Sequence, residues 1–122
     1  MALQIFGTKK SFDTKKAERW FKERSIPFQF IDLIEKPMSA GEFESVITFM
    51  AKTAGSRCNA VESLIDVTHK NAADIMYLDD SQKESYLFEH QNLFTTPIVR
   101  NTGDKSATAG YQSDIWKTWK LQ

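Results

Sequence analysis

Ile5-Phe6-Gly7-Thr8-Lys9-Lys10-Ser11-Phe12-Asp13-Thr14-Lys15-Lys16-Ala17 is the stretch whose reading decides the fold. An apolar run ends at Gly7, a polar loop follows, and apolar residues then recur at helical spacing through Ala17, Trp20 and Phe21. This predicts strand, loop and helix in that order, with the loop feeding directly into a helix N-terminus. Such a helix start presents unpaired amides and the positive end of a dipole, which favours an anion, a thiolate or a capping oxygen. Ser11, Asp13 and Thr14 each carry a suitable oxygen, and the plainest reading makes Asp13 or Thr14 the cap.

Outward from this stretch, Leu3 to Phe6 reads as a short buried strand and the helix runs from about Thr14 to Arg24. Ser25-Ile26-Pro27 breaks it, and Phe28, Phe30 and Ile31 suggest a second strand. Strand, helix, strand is most economically closed as a right-handed crossover with the strands parallel. Ser39 is a plausible cap for the next helix, whose face is Phe43, Val46, Ile47 and Met50 and whose stop is Thr53-Ala54-Gly55.

From Ser56 to His90 shorter helical pieces follow, including Ala60 to Ile65 and Ser81 to Glu89, with polar joins at Thr68 to Asn71 and Asp79-Asp80. A helical insertion at about 39–92 within one domain spanning 1–122 is the expected organisation. Beyond it, Thr96 to Arg100 and Ser106 to Ala109 flank Asn101-Thr102-Gly103-Asp104, the composition of a hairpin turn. Ile115, Trp116 and Trp119 then form the apolar side of a closing helix.

A chain of 122 residues that is 41% hydrophobic, with nine Phe and three Trp, can bury a genuine core. Sixteen basic and sixteen acidic residues cancel, so no overall field recruits nucleic acid or an anionic membrane. A local basic patch remains at Lys9, Lys10, Lys15 and Lys16. With one cysteine, Cys58, the chain forms neither an internal disulfide nor a multi-cysteine zinc site. The opening residues lack a secretion-signal pattern and no run approaches bilayer-spanning length, so the cytoplasm is the expected compartment.

Through "GTKKSFDTKKAERWF", "TTPIVRN" and "ATAGYQSDIWKTW" the chain resembles the arsenate reductase (ArsC) and Spx family of thioredoxin-fold proteins. The resemblance covers nearly the whole length. It implies an α/β, glutaredoxin-like fold with a mixed four-stranded sheet, a helical insertion, a hairpin and a C-terminal helix. It also implies a cis Thr96-Pro97 bond facing the loop around Ser11, next to backbone that pairs with glutathione or an extended peptide in relatives.

Aligning Lys16-Ala17 with the family pattern puts Ser11 at the position of the catalytic cysteine and Thr14 where Spx-type members carry a second one. A serine hydroxyl forms neither the arsenic–thiolate adduct nor a mixed disulfide. The family's anion-binding arginines fall at Asp66, Thr96 and Gly110 in this chain. The resemblance therefore implies a protein without arsenate reductase activity that keeps a cleft for glutathione, a small anion or a protein partner. Lys9, Ser11, Thr96, Pro97 and Arg100 are its expected ligand-binding residues; no cofactor is required, and glutathione is the candidate ligand.

Two alternatives stand beside this. Cys58 is the one possible redox centre, and the adjacent Arg57 would lower its pKa if the thiol were exposed, allowing a thiol-dependent reductase of arsenate or disulfides. The preferred reading of Cys58 is nonetheless a small buried hydrophobe. An Spx-like regulator that binds RNA polymerase is the other alternative. Ser11 as a hydrolytic nucleophile would need a base, and His69 and His90 lie in no catalytic motif. Neither has metal-ligand spacing with Cys58, so no metal is expected.

Overall fold

A computed structural model describes residues 3–119. These fall into two compact units, residues 3–37 with 96–119, and Met38–Thr95.

The first unit is a four-stranded mixed sheet with one helix between its first two strands and another after its last. β1 (Leu3–Gly7) pairs in parallel with β2 (Gln29–Asp32) and antiparallel with β3 (Ile98–Asn101), which in turn pairs antiparallel with β4 (Ser106–Ala109). The order is β2-β1-β3-β4. Strand side chains alternate across a sheet, so Leu3 and Ile5 share one face of β1, and Val99 stands opposite Ile5 on β3. These residues meet Ala17, Trp20 and Phe21 of α1 (Phe12–Glu23) in a core completed by Trp116 and Trp119. Trp116 is fully buried, with ring centroids 4.9 Å from Phe21 and 5.4 Å from Trp20. Its indole N–H donates to Thr108 Oγ1 at 2.8 Å, so the ring is buried without leaving its one donor unpaired.

The closing helix differs from expectation. α6 is the single turn Ser113–Trp116, and Ile115 is substantially exposed while Trp116 and Trp119 are buried. One turn presents only one or two residues to a core, so the tryptophans take the inward positions and Ile115 does not.

The second unit contains α2 (Ala40–Ala54), α3 (Arg57–Leu64), α4 (Ala73–Met76), α5 (Asp80–Glu89) and a 3-10 turn at Gln91–Leu93. α2 opens with a capping box: Ser39 Oγ accepts from the Glu42 amide, and the Glu42 side chain accepts from the Ser39 amide. It stops at Gly55, whose φ of 96° lies in the left-handed region that suits glycine. α3 begins at Arg57, earlier than the apolar pattern suggested, because Ser56 Oγ caps it through the Asn59 amide at 3.1 Å. Asp79, expected in a polar join, is the N-cap of α5 and forms a second capping box with Gln82. Among the described residues no helix is long and apolar enough to cross a membrane.

Candidate functional site

At the start of α1 the cap is Ser11, neither Asp13 nor Thr14. Ser11 has extended backbone (φ −76°, ψ 119°), and its Oγ accepts the Thr14 amide at 3.2 Å. The helix therefore begins two residues before the expected boundary, at Phe12. Asp13 sits in the first turn, where its charge complements the helix dipole.

Thr14 is drawn inward instead. It is fully buried against the end of β1, and a Cβ added to Gly7 would lie 2.5 Å from Thr14 Oγ1 and 2.6 Å from its Cγ2. Gly7 is thus required by close approach: strand end and helix start fit only if residue 7 has no side chain. The Thr14 hydroxyl has no hydrogen-bond partner there.

The second partner of Ser11 arrives from 85 positions away. Thr96 Oγ1 donates to Ser11 Oγ at 2.9 Å, and the Thr96-Pro97 peptide bond beside it is cis. Pro97 is buried, and its carbonyl accepts the Gly110 amide at 2.8 Å, tying this loop to the end of the hairpin. Ser11, Thr96 and Pro97 thus come together at the N-terminus of α1. Lys9 is exposed in the preceding turn.

Arg100 stands apart in its bonding. It lies on β3 opposite Gln4, and its Nε donates to Gln4 Oε1 at 2.9 Å, joined by Nη2 to the same oxygen. Gln4 Nε2 in turn donates to Gln29 Oε1 at 3.2 Å, so a polar ladder crosses β3, β1 and β2.

Cys58 belongs to the helical unit, at the second position of α3, and it is exposed. The expected buried hydrophobe is therefore corrected, and so is the expected lowering of its pKa by Arg57. The thiol is pushed up, first because it donates a hydrogen bond to the Asp80 carboxylate, then by desolvation and by the negative charges of Asp80 and Glu62. Lys83 opposes this, but it is held by Glu62. Arg57 is committed elsewhere: Nη1 and Nη2 donate to Glu44 at 2.7 and 2.6 Å, while Nε and Nη2 also reach Glu84. This fork joins α2 and α5 through α3, raises the Arg57 pKa and holds Glu44 below the usual carboxylate range. A cavity of about 310 Å³ beside it is lined by Arg57, Cys58, Val61, Glu62, Asp80, Ser81, Lys83 and Glu84.

The remaining candidates are engaged locally. Asp66 folds its carboxylate onto the Thr68 amide and hydroxyl. His69 Nδ1 accepts from the Asn71 amide, and His90 stacks on Tyr86 with centroids 3.9 Å apart. Among the described residues no three His, Cys, Asp or Glu side chains converge as a metal site.

The sheet order, the helix start opposite Thr96-Pro97 and the inserted helices define the thioredoxin-like α/β fold of ArsC-type proteins. No family model and no curated protein matches by sequence. Among solved structures, the arsenate reductase from Vibrio cholerae is similar with a TM-score of 0.78 and 17% identity over 98% of each chain. A protein from Bacteroides fragilis described as ArsC-family-related gives 0.79 and 14%, again over 98% of each chain. An arsenate reductase (ArsC) related protein from Brucella melitensis gives 0.63 and 14%, over 98% of this chain and 94% of its own. At these identities the likeness is one of fold.

Proposed function

We propose that this chain uses an arsenate-reductase-type scaffold to hold a small anionic peptide of the glutathione class at the start of α1, without reducing arsenate. The observation that carries the reading is the Ser11 oxygen, which caps α1 and receives the Thr96 hydroxyl beside Pro97. If that position is the family's nucleophile site, an oxygen replaces the sulfur that mixed-disulfide and arsenic–thiolate chemistry requires. Ser11 does not gain hydrolytic character in exchange, because its two partners are an amide and a hydroxyl, and neither is a base.

Binding is supported by what surrounds the oxygen. The first-turn amides and dipole of a twelve-residue helix favour an anion, and Lys9, Lys10, Lys15 and Lys16 are all exposed around this helix start. Glutathione carries carboxylates at both ends of an extended backbone, which suits a cationic rim beside the Thr96-Pro97 segment. The alternative of a reductase working through Cys58 is disfavoured by the raised thiol pKa, since the thiolate is the reactive form.

Titration of the 15N-labelled protein with glutathione to about 10 mM is the test, covering a weak complex by the usual affinity arithmetic. Amide shifts at Ser11, Thr96 and Lys9 are expected to saturate, and Ser11→Ala is expected to weaken the response. No change near α1, or changes confined to the helical unit, would overturn the reading. In parallel, arsenate turnover with glutathione and glutaredoxin is expected to be absent; turnover abolished by Cys58→Ser would favour the thiol-reductase alternative.

A further inference from the structure

The balanced net charge of the chain hides a division. The sheet unit, taken as residues 1–37 and 96–122, has twelve basic and seven acidic residues, a net of +5; the helical unit, Met38–Thr95, has four basic and nine acidic, a net of −5. Each unit also exposes an aromatic side chain whose sequence neighbours carry mainly that unit's sign of charge. In the first, Phe12 is 77% exposed and flanked by exposed Lys9, Lys10, Lys15 and Lys16, with Asp13 the one acidic neighbour in sequence. In the second, Tyr77 is 90% and Met76 41% exposed at the end of α4, between Asp74 and the Asp79-Asp80 pair, all exposed.

We propose that the occupant of each patch is the other patch on a second copy of this chain, giving a weak head-to-tail association. Charge complementarity carries the argument. A purely anionic macromolecule gains at the lysine patch but is repelled by the helical unit, and a purely cationic one meets the reverse. A second copy satisfies both signs at once. The exposed groups are also matched in kind: a phenyl ring faces a thioether and a phenol, contacts that add dispersion and sulfur–aromatic attraction, while lysines suit both aspartates and aromatic faces. Because the two surfaces differ, the contact is heterologous and leaves a free patch at each end, so association continues beyond a dimer unless a ring closes.

Two charge-reversed variants, compared in the absence of glutathione, test this. Lys10→Glu/Lys15→Glu keeps only the acidic patch, and Asp74→Lys/Asp80→Lys keeps only the basic one. Neither pair includes Ser11 or Thr96, and folding is checked by amide spectra. In sedimentation at about 20 mM salt, where screening extends over tens of ångströms, the unaltered chain is expected to gain mass with concentration. It should return to 14.0 kDa at about 0.5 M salt. Each variant alone is expected to stay at 14.0 kDa. An equimolar mixture of the two should form a capped dimer of about 28 kDa, twice the chain mass, and no larger species. The proposal is overturned if the mixture stays monomeric, if either variant still associates alone, or if the unaltered chain remains monomeric at about 1 mM, the weak end of specific binding. Failure here leaves the glutathione titration unaffected, and the converse holds too.

Discussion

Two of the serine-capped helix starts, those of α1 and α3, differ in chemical character. At α1, Ser11 is the cap, Thr96 donates to it and exposed lysines neighbour it in sequence, but the side chain carries oxygen. At α3 the sulfur is present, since Cys58 lies one residue past the first turn's opening, yet Asp80 and Glu62 surround it and push its pKa up. A helix dipole alone lowers a thiol pKa. Here a hydrogen bond donated to Asp80, desolvation and two carboxylates outweigh it. Thiol reactivity needs sulfur and a cationic setting together, and this protein keeps them on separate helices.

The largest test strikes the strand–helix fit beneath the first of these sites. Gly7→Ala is expected to cost on the order of 3 kcal/mol in chemical denaturation, because the new methyl meets Thr14 at 2.5–2.6 Å. Combining it with Thr14→Ala should recover much of the loss. Additive effects of the two changes would show that the contact does not constrain the start of α1.

A second experiment moves the sulfur. In a Cys58→Ser background, Ser11→Cys is expected to be alkylated by iodoacetamide at neutral pH roughly tenfold faster than Cys58 in the parent, because lysines replace carboxylates around the sulfur. Equal rates would break the contrast between the helix starts. The reciprocal change, Asp80→Asn, removes the main cause of the raised Cys58 pKa. Its alkylation profile should shift to lower pH, with a several-fold faster rate at pH 7; an unchanged profile would mean that Asp80 does not control the thiol.

The smallest effect concerns the Arg57 fork. The folded-state pKa of Glu44 is depressed by Arg57, so its contribution to stability is present above the unfolded carboxylate pKa and is lost as pH falls through the folded value. Arg57→Gln should therefore flatten the acid side of the stability curve below about pH 4.3. The pair is well exposed, so its contribution is expected to be under about 1 kcal/mol once solvent screening is allowed for. An identical acid slope in parent and variant would refute the linkage.

Much of the architecture was legible because it is written in local periods. Ala17, Trp20 and Phe21 mark the buried stripe of α1, the turn composition Asn101-Thr102-Gly103-Asp104 marks the hairpin, and Ser39 before a Phe43–Met50 stripe marks α2. Where local signals compete, the sequence was ambiguous. Ser11, Asp13 and Thr14 all have capping oxygens, and nothing in their order says that packing against Gly7 would turn Thr14 inward and leave the cap to Ser11. Cys58 was misread for the same reason: its neighbour Arg57 is audible in the sequence, whereas Asp80, which sets its pKa, is 22 positions away.

By itself, then, the sequence determined which segments become strands and helices and in what order, because backbone geometry and side-chain period act over a few residues. Tertiary structure alone decided the partners: Thr96 on Ser11, Thr108 on Trp116, Glu44 and Glu84 on Arg57. Hydrogen bonds and contact ion pairs need partners within a few ångströms, and folding sets which distant residues come that close.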